Sequence, residues 1–237
     1  MKKILYGVIA MVLITVTVNA QQADIKEKDK HMYFTAGGNG GIISFSSVKD
    51  NNNRVTSIPR FTLFFNVGAN FNYDVSDHAG FFTGLNIKNI GLITKVDSVK
   101  LKRRVYTVGI PIGFKLGNLR EGTFFFGGAE LDMAMNYKEK LFIGGDKKSK
   151  FNEWFSDRTD RFMPSLFAGV QVNKNFSFKA QYYLNNFFNQ GYRDGSGVKV
   201  YQHTDAKVFF LTFGYSFYNR AYPTVKIKAK RDRVKNG

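Results

Sequence analysis

Arg60-Phe61-Thr62-Leu63-Phe64-Phe65-Asn66-Val67-Gly68-Ala69-Asn70-Phe71-Asn72-Tyr73 is the stretch that decides the fold. Its odd positions, Phe61, Leu63, Phe65, Val67, Ala69, Phe71 and Tyr73, are apolar throughout. Its even positions, Arg60, Thr62, Phe64, Asn66, Gly68, Asn70 and Asn72, are mostly polar or small. Side chains of a strand point alternately to opposite faces, whereas a helix would mix the two sets around its circumference. The stretch therefore predicts a strand with one apolar and one polar face.

The same period recurs along the chain, in eight segments at about 32–46, 58–73, 79–93, 101–116, 122–137, 159–173, 175–188 and 204–217. They exceed the ~5–6 residues usual in soluble strands and suffice for the ~9–11 tilted residues that cross a bilayer. The connections at Asp74–His78, Gly117–Glu121 and Asn173–Asn175 are short. Those near 47–57, 94–100, 138–158 and 189–203 are longer and polar, with Gly144-Gly145-Asp146 expected to turn inside the third. Short turns on one side and long loops on the other, with an even strand count, predict a single eight-stranded antiparallel up-and-down transmembrane β-barrel. Alternation does not say which face is inside, so a soluble barrel with an apolar interior is the rival. Strand length, inward charges that need a sealed interior, and aromatics toward strand ends (Phe34, Tyr73, Tyr106, Tyr137, Phe162, Phe217) favour the membrane form.

The 237-residue chain has no cysteine, which excludes disulfides, thiolate metal sites and a cysteine nucleophile. Three histidines make a histidine-rich metal site a poor expectation, and no cofactor is expected. Met1-Lys2-Lys3, the apolar run Ile4–Val18 and Val18-Asn19-Ala20 have the layout of a cleaved signal peptide over 1–20. A short periplasmic segment, 21–31, is expected before the barrel at 32–217. The net charge of +17 becomes +15 without Lys2 and Lys3.

With the polar face inward, Asn66, Asn70, Asn86, Lys88, Lys115, Phe126, Glu130, Asp132, Ser165, Gln171, Lys179, Gln181 and Tyr183 line the interior. Buried charges are costly unless paired. The reading is a salt-bridged interior network in which Glu130 and Asp132 partner Lys88 and Lys179. Eight strands leave an interior that side chains just fill, which argues against a diffusive pore.

The outer loops carry Lys100, Lys102, Arg103 and Arg104 in one and Trp154 and Phe155 in another. These suit an anionic lipopolysaccharide surface, or a protein docking on aromatic anchors. The basic tail, 218–237, holds Arg220, Lys226, Lys228, Lys230, Arg231, Arg233 and Lys235 against Asp232 and is a candidate periplasmic partner site. Basic charge alone does not point to nucleic acid, and export speaks against it. Gly37-Gly38-Asn39-Gly40-Gly41 lacks dinucleotide-loop spacing and predicts a bulge or relief of crowding in the first strand. His203, Asp205 and Ser196 imitate the catalytic set of barrel enzymes that modify lipid A, provided they reach one another.

Val67-Gly68-Ala69-Asn70-Phe71-Asn72-Tyr73, Phe82-Thr83-Gly84-Leu85-Asn86, Val108-Gly109-Ile110-Pro111-Ile112-Gly113-Phe114-Lys115 and the final Phe210-Leu211-Thr212-Phe213-Gly214-Tyr215-Ser216-Phe217 resemble the PorT-like outer-membrane β-barrel family of Bacteroidota. The resemblance covers roughly 32–217 and implies an outer-membrane location with a periplasmic N-terminus. The namesake takes part in protein secretion, and most members have no assigned task. Members commonly stop near the final aromatic, whereas twenty residues follow Phe217 here. The expectation is a non-enzymatic structural or accessory subunit of an envelope complex for secretion, assembly or uptake. A narrow channel for small solutes is the second reading, and a lipid A-modifying enzyme the third.

Overall fold

The computed structural model describes residues 32–63 and 65–216, apart from the side chains of 38, 39 and 216. The signal peptide, the segment 21–31, Phe217 and the basic tail lie outside the described residues. Among those described are the strands β1 (Met32–Asp50), β2 (Asn53–Ile58), β3 (Arg60–Thr62), β4 (Asn66–Asp74), β5 (Ala79–Val96) and β6 (Val99–Asn118). They are followed by β7 (Thr123–Ile143), β8 (Asp146–Trp154), β9 (Phe162–Val172), β10 (Phe176–Tyr183) and β11 (Thr204–Ser216). All pairings are antiparallel. The last strand pairs with the first, Ile42 opposite Thr212 and Asp50 opposite Thr204, so the sheet closes into a ring. With β2, β3 and β4 acting as one broken stave and β8 lying off the ring, the barrel has eight staves.

Closure runs through the glycine stretch. Between Gly38 and Gly41 the β1–β11 register shifts, the bulge that the glycines predict. Gly40 has φ +62°, and a Cβ there would run into the carbonyl oxygen of Phe213. The bulge switches the parity of β1, so that Tyr33 and Thr35 before it, and Ile42 and Ser44 after it, are the covered positions.

The decision between the two barrels is visible on β6. Ile110, Ile112, Phe114 and Leu116 are exposed, Ile112 at 69%, while Gly109, Pro111, Gly113 and Lys115 between them are buried. The apolar face is outside and the polar face inside, the reverse of a water-soluble barrel. Phe34, Tyr73 and Phe162 are exposed near strand ends, as expected of a girdle. Tyr137 is not: it is 1% exposed and donates its hydroxyl to Glu139 inside the sheet, 2.9 Å away.

Two sets of boundaries differ from expectation. The segments 47–57, 94–100 and 138–158 are largely strand, because three hairpins continue past the apolar band. Their turns are Asn51-Asn52 and Gly144-Gly145, each pair with both φ positive, and Asp97-Ser98, with Asp97 at φ +50°. Two consecutive positive φ angles suit the twist of a two-residue hairpin. The strand expected over 175–188 stops at Tyr183, and the chain then leaves the wall. The short turns at the opposite end, 75–78, 119–122 and 173–175, fall where the sequence puts them.

Gly40→Val is expected to block closure of β1 on β11, read as loss of the compact, heat-modifiable gel band of the folded barrel. Gly41→Ala meets the Phe61 ring at 3.2 Å and the Thr62 carbonyl oxygen at an ordinary 3.9 Å, and is expected to keep that band.

Candidate functional site

The interior is built in layers, from the short-turn end upward. Lys115 of β6 sits 2.6 Å from Asp74 Oδ1, 3.1 Å from Asn72 Oδ1 and 2.9 Å from Tyr33 Oη. Those three contacts match the three N–H donors of an ammonium group. Asp74 continues the even polar face of Arg60–Asn72 by one step, so the period could have supplied this missed partner.

Phe82, Phe126 and Phe167 form the next layer, with ring centroids 6.0 to 6.4 Å apart. Gly113 and Gly169 make room for it: a Cβ at Gly113 would strike Phe82, and one at Gly169 would strike Phe126. Lys179 reaches this layer, its Nζ 5.5 Å from the centroid of Phe167.

Above it lies the charge cluster. Lys88 Nζ is 2.6 Å from Glu130 Oε2 and 3.0 Å from Asp132 Oδ2, and all three side chains are almost fully buried. Asn86 and Gln181 each donate to Glu130 at 2.8 Å, and Gln181 donates to Ser165 at 2.7 Å. Asp132 accepts from the Thr107 hydroxyl at 3.0 Å and from the Tyr183 hydroxyl at 2.7 Å. Gly109 lies opposite Asp132, where a Cβ would collide with both carboxylates. Two carboxylates thus share one ammonium, and neutral donors satisfy their remaining lone pairs.

Of the four residues expected in the interior network, Lys88, Glu130 and Asp132 come together and Lys179 does not. Lys179 makes no ion pair among the described residues. It faces inward one layer below, and the register sets that height: Lys179 is opposite Gly169, whereas Gln181, two residues on, is the position that reaches Glu130.

The long-loop end is closed by an apolar core that includes Ile42, Ile90, Leu92, Val105, Met163, Val208 and Phe210. After Tyr183 the chain folds Phe187 and Phe188 into this core, together with Tyr201. Phe188 stacks on Tyr201 with centroids 4.4 Å apart and planes 15° from parallel. Asn186 pins the fold to β11, donating to Thr204 O at 2.7 Å and accepting from Ala206 N at 2.9 Å. Arg103 holds Glu139 at 2.8 Å and lies 5.2 Å over the Phe188 ring. Two consecutive inward aromatics break the period of a strand, a sign that the wall ends before them.

The outer loop residues are corrected in place. Lys100, Lys102, Arg103 and Arg104 sit on β6, Arg103 turned to the covered side. Trp154 ends β8, and with Phe155 it stays exposed. His203, Asp205 and Ser196 make no hydrogen bond with one another among the described residues. The tail residues Arg220, Lys226, Lys228, Lys230, Arg231, Arg233 and Lys235 are outside the described residues.

No family model and no curated protein matches the chain. Solved structures similar at low identity include three outer-membrane proteins. Ail, the attachment invasion locus protein of Yersinia pestis, solved in complex with the heparin analogue sucrose octasulfate, is 16% identical with TM-score 0.34, over 79% of this chain and 98% of its own. Neisserial surface protein A is 14% identical with TM-score 0.39, over 78% and 97%. The outer membrane protein OprG from Pseudomonas aeruginosa is 15% identical with TM-score 0.33, over 82% and 100%. The eight-stave architecture of this chain rests on its own ladders.

Lys88→Met strands two buried carboxylates. It is expected to destabilise the barrel by about 3–5 kcal/mol, the usual effect of removing one partner of a buried ion pair. Lys179→Met, with no ion pair to break, is expected to cost much less. Urea unfolding midpoints of the two variants in lipid vesicles check the ranking.

Proposed function

We propose that this chain is a non-enzymatic β-barrel of a bacterial outer membrane, sealed against free diffusion, that serves as a structural or accessory subunit of an envelope complex. The observation that carries the proposal is a closed ring whose outside is apolar and whose lumen carries successive layers of buried side chains among the described residues. Only closed barrels and helices satisfy every backbone group within a bilayer. On the outward face of β6, Leu116, Phe114, Ile112, Ile110, Val108 and Tyr106 follow one another. Ten residue steps at ~3.3 Å, tilted by ~45°, give a band about 23 Å tall, close to the ~25 Å of an outer-membrane barrel.

A channel for small solutes needs a continuous wet path. Here the lumen meets an ion-paired end layer, an aromatic layer, a charge cluster and an apolar core in turn. The buried charges are of both signs among the described residues, with Arg60, Lys88, Lys115 and Lys179 against Asp74, Glu130 and Asp132. This favours structural pairing over an ion-selective ring, which carries an excess of one sign. His203, Asp205 and Ser196 share no hydrogen bond among the described residues, which favours a protein without lipid-modifying chemistry. What remains for partners is the outer hairpins, the exposed Trp154 and Phe155, and the basic tail.

Planar-bilayer recording of the purified full-length protein is expected to show no discrete conductance steps. Steps that change on Glu130→Gln or Asp132→Asn would replace this reading with the channel. Deleting 218–237 is expected to leave a folded barrel and abolish a stoichiometric companion in native mass spectrometry of mild-detergent extracts. A companion retained without the tail moves the partner site to the hairpins.

A further inference from the structure

The apolar band on β6 does not end at a loop. The same outward face continues beyond Tyr106 as Arg104, Lys102 and Lys100. Register shows what stands beside these residues. Arg104 is opposite Lys138 of β7, and Lys138 is opposite Asn152 of β8. Lys102 is opposite Lys140, and Lys140 is opposite Lys150. One rung further out, Lys95, Lys100, Phe142 and Lys147 lie side by side on β5, β6, β7 and β8. Eight basic residues share one face of four strands, and no carboxylate stands in those rungs.

Like charges placed directly across a sheet destabilise it. Three lysines abreast, at Lys102, Lys140 and Lys150, are therefore not explained by folding. Among the described residues no carboxylate pairs with them: Lys102, Arg104, Lys138, Lys140 and Lys150 make no ion pair there. Glu139 serves Arg103 on the opposite side, and Asp146 serves Lys148. Lys138 and Lys140 are held below the ordinary lysine range, first by partial burial and then by the Arg104 guanidinium and the neighbouring lysines. An anion on this face relieves that repulsion.

Position selects the anion. Arg104 and Lys138 are two residues above the last apolar rung, and Lys102, Lys140 and Lys150 four. At ~3.3 Å per residue and ~45° tilt, these rungs stand about 5 and 9 Å above the hydrocarbon boundary, the depth of lipid headgroups. The face also points where the apolar band points, toward lipid. Neighbouring strands ~4.8 Å apart present adjacent ammonium groups to one multivalent phosphate.

We propose that Lys102, Lys140 and Lys150, with Arg104 and Lys138, form a binding site for the phosphate groups of a phosphorylated lipid headgroup in the outer leaflet. The site rests on the outer-membrane reading and gives it a lipid partner. It fastens the β6–β7–β8 sheet to the membrane surface, with Trp154, exposed beside Asn136 on the adjoining rung, at the interface.

The test uses full-length protein in phosphatidylcholine vesicles doped with bisphosphorylated lipid A or with its phosphate-free form. Retained lipid is counted by native mass spectrometry after mild extraction. Wild type is expected to retain the phosphorylated form selectively, with retention falling as salt rises. Lys102→Gln/Lys140→Gln/Lys150→Gln is expected to weaken retention by at least about tenfold, since each base near an anionic surface is worth roughly fivefold. Lys102→Arg/Lys140→Arg/Lys150→Arg is expected to keep it. Heat-modifiable migration verifies folding, and the single Lys140→Gln variant carries the test if the triple variant fails to fold. Equal retention of both lipid forms, or by the glutamine variant, overturns the proposal. So does dextran sulfate binding to the face where phosphorylated lipid A does not, which assigns it to a soluble polyanion. A chain that fails to insert into vesicles, seen as full protease sensitivity of β6 and β7, overturns the outer-membrane reading itself. A chain that inserts and binds no lipid phosphate overturns only the site.

Discussion

A sheet that faces hydrocarbon has no water to satisfy a free edge, so every edge amide must find a partner within the sheet. The rest of this structure depends on how that requirement is met at the β1–β11 seam. Closing eight staves needs strands that bend and a register that fits, and the Gly37–Gly41 stretch supplies both through one bulge. Gly40 takes a left-handed backbone angle against the Phe213 carbonyl, a place where any side chain would part the seam. Once the ring is closed, the outer and inner faces are fixed for every strand.

Closure then dictates the chemistry of the lumen. Eight staves leave room for side chains and little else, and any charge there is removed from bulk water. The chain answers with short polar networks centred on Lys115 and Lys88, separated by the Phe82, Phe126 and Phe167 layer. Glycine opposite a bulky or charged residue recurs at each level, as at Gly109, Gly113 and Gly169. At the long-loop end the solution changes from polar to apolar. Phe187 and Phe188 leave the wall and cap the barrel from above, pinned by Asn186.

Beyond the apolar band the strands continue into water as hairpins, and this is where sequence reading loses sight of them. Period-2 alternation exists because one face is buried and the other is not. Where both faces meet water the contrast fades, so 47–57, 94–100 and 138–158 read as loops. The turn residues Asn51-Asn52 and Gly144-Gly145 are the signal that remained. The interior was more legible. Each of Asn86, Lys88, Lys115, Glu130, Asp132, Ser165 and Gln181 is covered, as parity required. Tyr137 was misread because proximity to a strand end says nothing of which face a residue takes, and β6 and β7 slip by one residue between Tyr106 and Thr107.

The sequence by itself determined the strands of the apolar band and the partition of their residues between two faces, and it marked Gly37–Gly41 as a place for a bulge or relief of crowding. These are local properties, set by the two-residue repeat of an extended backbone. Only the tertiary structure decided which ammonium Glu130 and Asp132 share, and that Lys102, Lys140 and Lys150 stand abreast. Those outcomes depend on register between distant strands, which turn geometry, bulges and closure set together. A shift of two residues leaves every face unchanged, yet it moves Lys179 to a different layer from Glu130. For that reason Lys88 holds both acids while Lys179 rests against Phe167.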